Sequence, residues 1–211
     1  MFDLDGTLLD TLDDLANAVN HAMRSVSRPE VPCGDVRRFI GRGSRNLIAD
    51  SLGPDPEGLL NGAHDRFIDF YREHLFDKTR PYPGMVELIG ELRGRGMKLA
   101  VLSNKPAPMT RHVVDHYFPA SFDRVVGQRD DVPRKPDPIS ALSIAHDLGI
   151  QPQQWAYIGD SGIDMQTGKS AGFFTIGITW GFRDEPELRE FAADAIAHDV
   201  DQLRELLIDD T

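Results

Sequence analysis

Two carboxylates lie two residues apart near the start of the chain, where residues 2–8 read Phe-Asp-Leu-Asp-Gly-Thr-Leu. Side chains two apart on a strand point the same way, so the spacing predicts that Asp3 and Asp5 share one face at the end of a buried strand. Burying two bare carboxylates is costly unless a cation or a proton neutralises them. The pair therefore indicates a metal site, acid–base chemistry, or both. Taken alone, such a pair is more typical of helix caps and turns.

Polar residues also follow two later predicted strands. Ser103 comes after an apolar run, and Asp160 follows another. Because ligands of parallel sheets bind at the carboxyl ends of the strands, we expect Asp3, Ser103 and Asp160 to converge on one edge. Ordinary alternatives exist for each residue: Ser103 could cap a helix, Asp160 could lie in a turn, and Lys135 could be a solvated loop cation.

From residue 81 onward, the pattern alternates between short apolar runs and helical periodicity. Strands joined by helical crossovers form a parallel sheet that is covered on both faces, so the predicted fold is α/β with a doubly wound, Rossmann-like sheet. The predicted strands are 98–102, 122–126, 155–158, 174–178 and 195–197, and the predicted helices are 85–94, 107–118, 138–148, 164–171 and 200–208.

Residues 11–80 differ, because they carry helical periodicity and no strand signal. Apolar spacing predicts helices from Thr11, around 36–40, around 47–52 and over 57–76. The predicted organisation is a catalytic core formed by 1–10 and 81–211, with a separate helical domain inserted at 11–80.

Composition excludes several classes of protein. The 211 residues carry a net charge of −11, which would repel nucleic acid over most of the surface. Cys33 is the only cysteine, so no internal disulfide can form and a reducing compartment fits best. No apolar run approaches the ~18–20 residues that span a bilayer, and no signal-peptide pattern is present. We expect a cytoplasmic protein, monomer or homodimer, without membrane contact.

Four motifs in a fixed order carry a resemblance to a known family. Residues 2–8 resemble the first motif of the haloacid dehalogenase-like hydrolases, most of which are Mg²⁺-dependent phosphatases. Ser103, Lys135 and the acidic pair Asp160 and Asp164 match the three later motifs. Only two residues precede Asp3, whereas strands usually run about 5–6 residues. Relatives carry several more apolar residues before this motif. We therefore expect either that the true start of the chain lies upstream, or that this strand is shortened and anchors Asp3 poorly.

The resemblance implies a role for each motif residue. Asp3 would attack phosphorus and form an aspartyl-phosphate, and Asp5 would protonate the leaving oxygen and then activate water. Mg²⁺ would be held by Asp3, Asp160 and the backbone carbonyl of Asp5, with Asp164 binding it through water or supporting another ligand, and such oxygen ligands suit this ion. An Asp at position 5 is typical of phosphatases and phosphomutases, and its presence disfavours dehalogenation.

The remaining implied site residues bind the phosphate. Ser103, with nearby groups including Asn104, would contact phosphate oxygens. Lys135 would neutralise the transferring phosphoryl group.

The inserted helical domain corresponds to the cap that closes over the substrate in this family. Its loop 39–45 contains glycines that would let the backbone approach the site, among them Gly43. Arg42 or Arg45 could meet a substrate carboxylate there. The alternative is an ordinary turn between helices, with both arginines solvated.

Three segments, 39–45, 130–138 and 178–182, resemble bacterial phosphoglycolate phosphatases. The implied partner is a small phosphorylated metabolite, with hydrolysis of 2-phosphoglycolate to glycolate and phosphate as the leading reaction. The alternatives are a phosphatase of a sugar phosphate or pyrophosphate, a phosphomutase, and an inactive binder of a phosphorylated ligand.

Overall fold

Five parallel strands and a short N-terminal segment form the central sheet of the computed structural model, which describes residues 1–54 and 58–208. The strands are β3 (Ala100–Pro106), β4 (Arg124–Gln128), β5 (Ala156–Gly159), β6 (Phe174–Ile178) and β7 (Ala195–Ala197). The order across the sheet is β4, β3, the N-terminal segment, β5, β6 and β7.

The N-terminal segment is short but is hydrogen-bonded on both sides. The Phe2 N–H donates to the Ala100 carbonyl at 2.8 Å, and the Phe2 carbonyl accepts from the Leu102 N–H at 2.9 Å. On the other side, the Asp3 N–H donates to the Ile158 carbonyl at 2.9 Å. The expected weak anchoring is therefore not found, since neighbouring strands hold the backbone at Asp3 from both directions.

Alternating residues of the central strands enter two apolar clusters, one on each face of the sheet. The helices of this part are α5 (Met85–Gly94), α6 (Ala107–Tyr117), α7 (Ile139–Asp147), α8 (Gly162–Ala171), α9 (Glu185–Glu190) and α10 (Val200–Ile208). Leu102 and Tyr157 pack in a cluster that includes residues of α7 and α8. Their neighbours Val101 and Ile158 pack in the other, which includes residues of α5, α6 and α10. The predicted doubly wound α/β fold is thus confirmed.

The remaining helices lie between two short antiparallel strands, β1 (Leu9–Asp10) and β2 (Arg80–Pro81). They are α1 (Leu12–Ser25), α2 (Cys33–Phe39), α3 (Ser44–Leu52) and α4 (Leu60–Glu73). Helix α1 packs on the other three. The buried Asp14 carboxylate in α1 accepts hydrogen bonds from the Lys78 and Thr79 N–H groups and the Thr79 hydroxyl. This contact joins the start and the end of the inserted segment.

Some predicted boundaries were wrong. Strand β3 begins at Ala100 rather than 98, because Lys98 and the Leu99 N–H bind the Asp123 carboxylate instead of a strand partner. Helix α9 was missed because it has only six residues, too few for a helical period to show. The predicted helix over 57–76 ends earlier, at Glu73, and its position 57 lies outside the described residues. No helix in the described ranges is long and apolar enough to cross a membrane.

Candidate active site

Three carboxylates from two parts of the sheet meet at its carboxyl edge. Asp3 follows the N-terminal segment, Asp160 follows β5, and Asp164 lies in the first turn of α8. Each offers a ligand oxygen, and these oxygens lie within 4.8 Å of one another. All three residues are buried, at 8%, 2% and 0% exposure respectively. Such a cluster is unstable by itself, so it calls for neutralising cations.

Lys135 supplies one of these cations. Its Nζ lies 2.8 Å from Asp3 Oδ1 and 2.7 Å from Asp164 Oδ1. Burial alone would lower the pKa of Lys135, but the two carboxylates outweigh it and hold this pKa well above the usual value. Lys135 is therefore charged, and the sequence-predicted lysine reaches the cluster.

One cation does not satisfy the whole cluster. Asp3 Oδ1 faces Lys135 at ion-pair distance without hydrogen-bond geometry, and among the described residues this buried oxygen has no hydrogen-bond donor. Burial and then the charge of Asp164 raise the pKa of Asp3 well above its usual value, although Lys135 opposes the shift. Clustered carboxylate oxygens of this kind fit a hard divalent cation such as Mg²⁺.

Asp160 accepts hydrogen bonds from two groups that are far from it in sequence. Its Oδ2 accepts the Phe182 N–H at 2.7 Å, and its Oδ1 accepts the Thr7 hydroxyl at 3.2 Å. Burial and the charge of Asp164 raise the pKa of Asp160 to about 7, against the lowering effect of the Phe182 hydrogen bond.

At two glycine positions the backbone lies so close to Asp160 that a side chain would collide with it. At Gly6, whose φ is +86°, an added Cβ would lie 2.4 Å from Asp160 Oδ2. At Gly181 it would lie 2.3 Å from Asp160 Cβ. Both positions therefore exclude a side chain.

Asp5 is paired with a residue that the motif analysis did not single out. Its Oδ1 accepts a hydrogen bond from Lys105 Nζ at 2.9 Å, and Lys105 also donates to the Tyr71 hydroxyl on α4. The Lys105 side chain is only 2% exposed and that of Asp5 is 13% exposed. No local pattern marks the trio, since its members come from three separate parts of the chain.

Ser103 and Asn104 lie in the second half of β3, where the register with β4 shifts between Leu102 and Pro106. Ser103 is buried, and its Oγ accepts the Lys105 N–H at 3.2 Å. The Asn104 side chain bonds backbone groups: Nδ2 donates to the Gly41 carbonyl at 2.9 Å and to the Lys135 carbonyl at 3.1 Å, and Oδ1 accepts the Lys135 N–H at 2.9 Å. Its amide thus ties the loop before α3 to the Lys135 loop.

Arg42 lies in the loop between α2 and α3, and Arg45 lies in the first turn of α3. This region contributes backbone to the site rather than arginine side chains. Arg42 pairs with Asp50, and Arg45 donates to Asn61 Oδ1 at 2.7 Å. Neither arginine lines the cleft beside Asp3, whereas Gly43 does. The structure therefore does not bring Arg42 or Arg45 to the other predicted site residues, because Arg42 is paired with a residue of α3 and Arg45 with a residue of α4.

The cleft itself lies between the sheet edge and the inserted helices and opens to solvent. Its polar wall includes Asp3, Asp5, Ser103 and Lys105. The other wall of the cleft is apolar. It is formed by side chains of the inserted segment, which include Leu15, Ile40, Leu47 and Phe67.

The family model described as haloacid dehalogenase-like hydrolase matches residues 1–178. The chain belongs to the haloacid dehalogenase-like hydrolases. Family membership and the position of the acidic cluster agree with the resemblance found in the four motifs.

Individual relatives of this hydrolase family cover nearly the whole chain. A phosphoglycolate phosphatase of Pseudomonas putida is 34% identical, with 98% of this chain and 77% of the relative aligned. One from Haemophilus influenzae is 33% identical, with 98% of this chain and 96% of the relative aligned. A crystal structure of a candidate phosphoglycolate phosphatase from Lactobacillus delbrueckii superposes with a TM-score of 0.90 at 33% identity, covering 98% and 96%.

Proposed function

We propose that the protein is a Mg²⁺-dependent phosphatase that hydrolyses 2-phosphoglycolate to glycolate and phosphate. The observation that carries the proposal is the buried set formed by Asp3, Lys135, Asp160 and Asp164, beside Asp5 in a cleft. The named substrate rests on relatives that match nearly the whole of this chain and are named phosphoglycolate phosphatases.

In the proposed reaction, Asp3 is the nucleophile. Its carboxylate attacks phosphorus, the bond to the ester oxygen breaks, and an aspartyl-phosphate forms, so that one difficult hydrolysis becomes two easier steps. Lys135, 2.8 Å from Asp3 Oδ1, orients the carboxylate and neutralises charge on the phosphoryl oxygens. Ser103 lines the same cleft and offers its hydroxyl to the phosphate.

We assign Asp5 to proton transfer in both steps of the reaction. In its protonated form it gives the proton to the departing ester oxygen, and as a carboxylate it then takes a proton from the water that attacks the aspartyl-phosphate. The Lys105 contact holds Oδ1, so that Oδ2 remains for this exchange.

The ion would be held by Asp3, Asp160, Asp164 and the backbone carbonyl of Asp5. When bound, Mg²⁺ supplies positive charge that balances the clustered carboxylates and the phosphoryl oxygens. In this proposal residues 1–10 and 81–211 form the catalytic core, and residues 11–80 form a cap that shields the cleft from water. The net charge of −11 and the single cysteine favour a cytoplasmic enzyme of small metabolites.

A substrate panel tests the assignment. We expect Mg²⁺-dependent phosphate release to be fastest from 2-phosphoglycolate among small esters that include sugar phosphates, with pyrophosphate in parallel. The measurement is kcat/KM for each compound with Mg²⁺ and with a chelator. Activity spread evenly over the panel would keep the phosphatase and overturn the named substrate. Transfer between two positions of a sugar phosphate would instead favour a phosphomutase, and binding without turnover an inactive binder.

A second prediction follows from the raised pKa of Asp160, about 7 against a usual value of 3.8. Between these values the folded chain keeps a proton that the unfolded chain loses, so ionisation favours unfolding. The stability of the metal-free protein should therefore fall as pH rises from about 4 to about 7. Mg²⁺ relieves the repulsion, and we expect it to raise the melting temperature by about 5 °C more at pH 7.5 than at pH 5.

Asp160→Asn is the matched variant for this melting experiment. It removes one charge from the cluster, so the metal-free variant should melt at a higher temperature than the wild type at pH 7.5 and should lose most of the response to Mg²⁺. An equal response to Mg²⁺ in both proteins would show that the ion binds elsewhere.

A further inference from the structure

Lys105 occupies the cleft wall two residues after Ser103. It lines the cleft together with Asp3, Asp5 and Ser103. Among the described residues that line the cleft, it is the only lysine, arginine or histidine. A substrate with an anionic group besides its phosphate needs a cation here, and no other lining side chain supplies one.

Two hydrogen-bond donors lie unused side by side at this point. The ammonium group has three N–H donors, and the described residues take two of them, at Asp5 Oδ1 and the Tyr71 hydroxyl. The Tyr71 hydroxyl accepts from Lys105, and its own hydrogen has no acceptor in the described part of the chain. Burial raises the pKa of Tyr71, so the hydroxyl keeps that hydrogen as a donor.

The chemistry of the proposed substrate fits these two donors. In 2-phosphoglycolate a single methylene separates the ester oxygen from the carboxylate, so the carboxylate must lie close to the atom that Asp5 protonates. Lys105 is hydrogen-bonded to both Asp5 and Tyr71. Both donors therefore lie near Asp5, at the carboxylate end of the substrate. The surrounding apolar side chains strengthen such an ion pair by excluding water.

We propose that Lys105 Nζ and the Tyr71 hydroxyl form the subsite that binds the substrate carboxylate. The pair joins the second half of β3 to helix α4, so the carboxylate bridges the core and the inserted helical segment. The subsite determines specificity, and it rests on the proposed function, since it recognises the carboxylate that the function assigns. It also replaces Arg42 and Arg45 in this role, because their side chains are engaged outside the cleft.

The test compares 2-phosphoglycolate with 2-hydroxyethyl phosphate, which has a similar alkyl leaving group but no carboxylate. We expect Lys105→Met to lower kcat/KM for 2-phosphoglycolate on the order of 30-fold more than for 2-hydroxyethyl phosphate, mainly through KM. Tyr71→Phe keeps the ring and should shift the same ratio by about 5-fold. The matched control is Arg42→Met, which removes a cation outside the cleft and should leave the ratio unchanged.

Each outcome decides a separate point. If both substrates lose kcat equally in Lys105→Met and the ratio is unchanged in Tyr71→Phe, Lys105 only orients Asp5 and the subsite is overturned. If the wild type itself shows no preference for 2-phosphoglycolate, the proposed substrate fails, and the subsite fails with it. Should Lys105→Met not fold, the ratio in Tyr71→Phe decides alone.

Discussion

Asp3→Asn should reduce kcat for 2-phosphoglycolate by at least about 10⁴-fold, because the amide cannot attack phosphorus and no aspartyl-phosphate can form. The side chain keeps nearly the same shape, so the fold should persist. Phosphate release under single-turnover conditions measures the loss. Mass spectrometry of acid-quenched enzyme should show one added phosphoryl group in the wild type and none in the variant.

The matched control for this experiment is Asp69→Asn. Asp69 is an exposed aspartate of α4 whose pairing with Arg72 lies on the protein surface. It undergoes the same chemical change and should keep wild-type activity. Activity of Asp3→Asn within the wild-type range, or a phosphoryl group on another residue, would contradict the assignment of Asp3 as nucleophile.

Asp5→Asn should lower kcat for 2-phosphoglycolate by about 10²- to 10⁴-fold, since the alkoxide leaving group then departs without a proton. The effect should depend on the leaving group. p-Nitrophenolate needs no proton, so p-nitrophenyl phosphate should still phosphorylate Asp3 quickly. Hydrolysis of the aspartyl-phosphate should then be slow, because the base that activates water is missing.

Rapid mixing of Asp5→Asn with p-nitrophenyl phosphate distinguishes the two steps. We expect a burst of p-nitrophenolate close to one equivalent per enzyme, followed by slow turnover. The wild type is the control for the slow phase. Equal losses for the aryl and alkyl esters, without a burst, would show that Asp5 does not act as acid and base in the two steps.

The sequence alone predicted the architecture and the convergence of the motifs. Apolar periodicity is a local property, so the alternation of strands and helices after residue 81 could be read directly, and the parallel sheet followed from it. Once the sheet is parallel, residues that end its strands must meet at one edge. The observed meeting of Asp3 and Asp160 at that edge follows from this rule.

The tertiary structure decided the partners of these residues. Lys105 reaches Asp5 across 100 positions and Tyr71 across 34, and Asp160 accepts the Phe182 N–H across 22. Local patterns could not predict these contacts, because they depend on how distant elements pack. The same reason explains Arg42, in the loop before α3, and Arg45, in the first turn of that helix. Their type and position suggested a carboxylate site, but nearby acceptors at Asp50 and Asn61 engage them, while a buried lysine from the sheet enters the cleft.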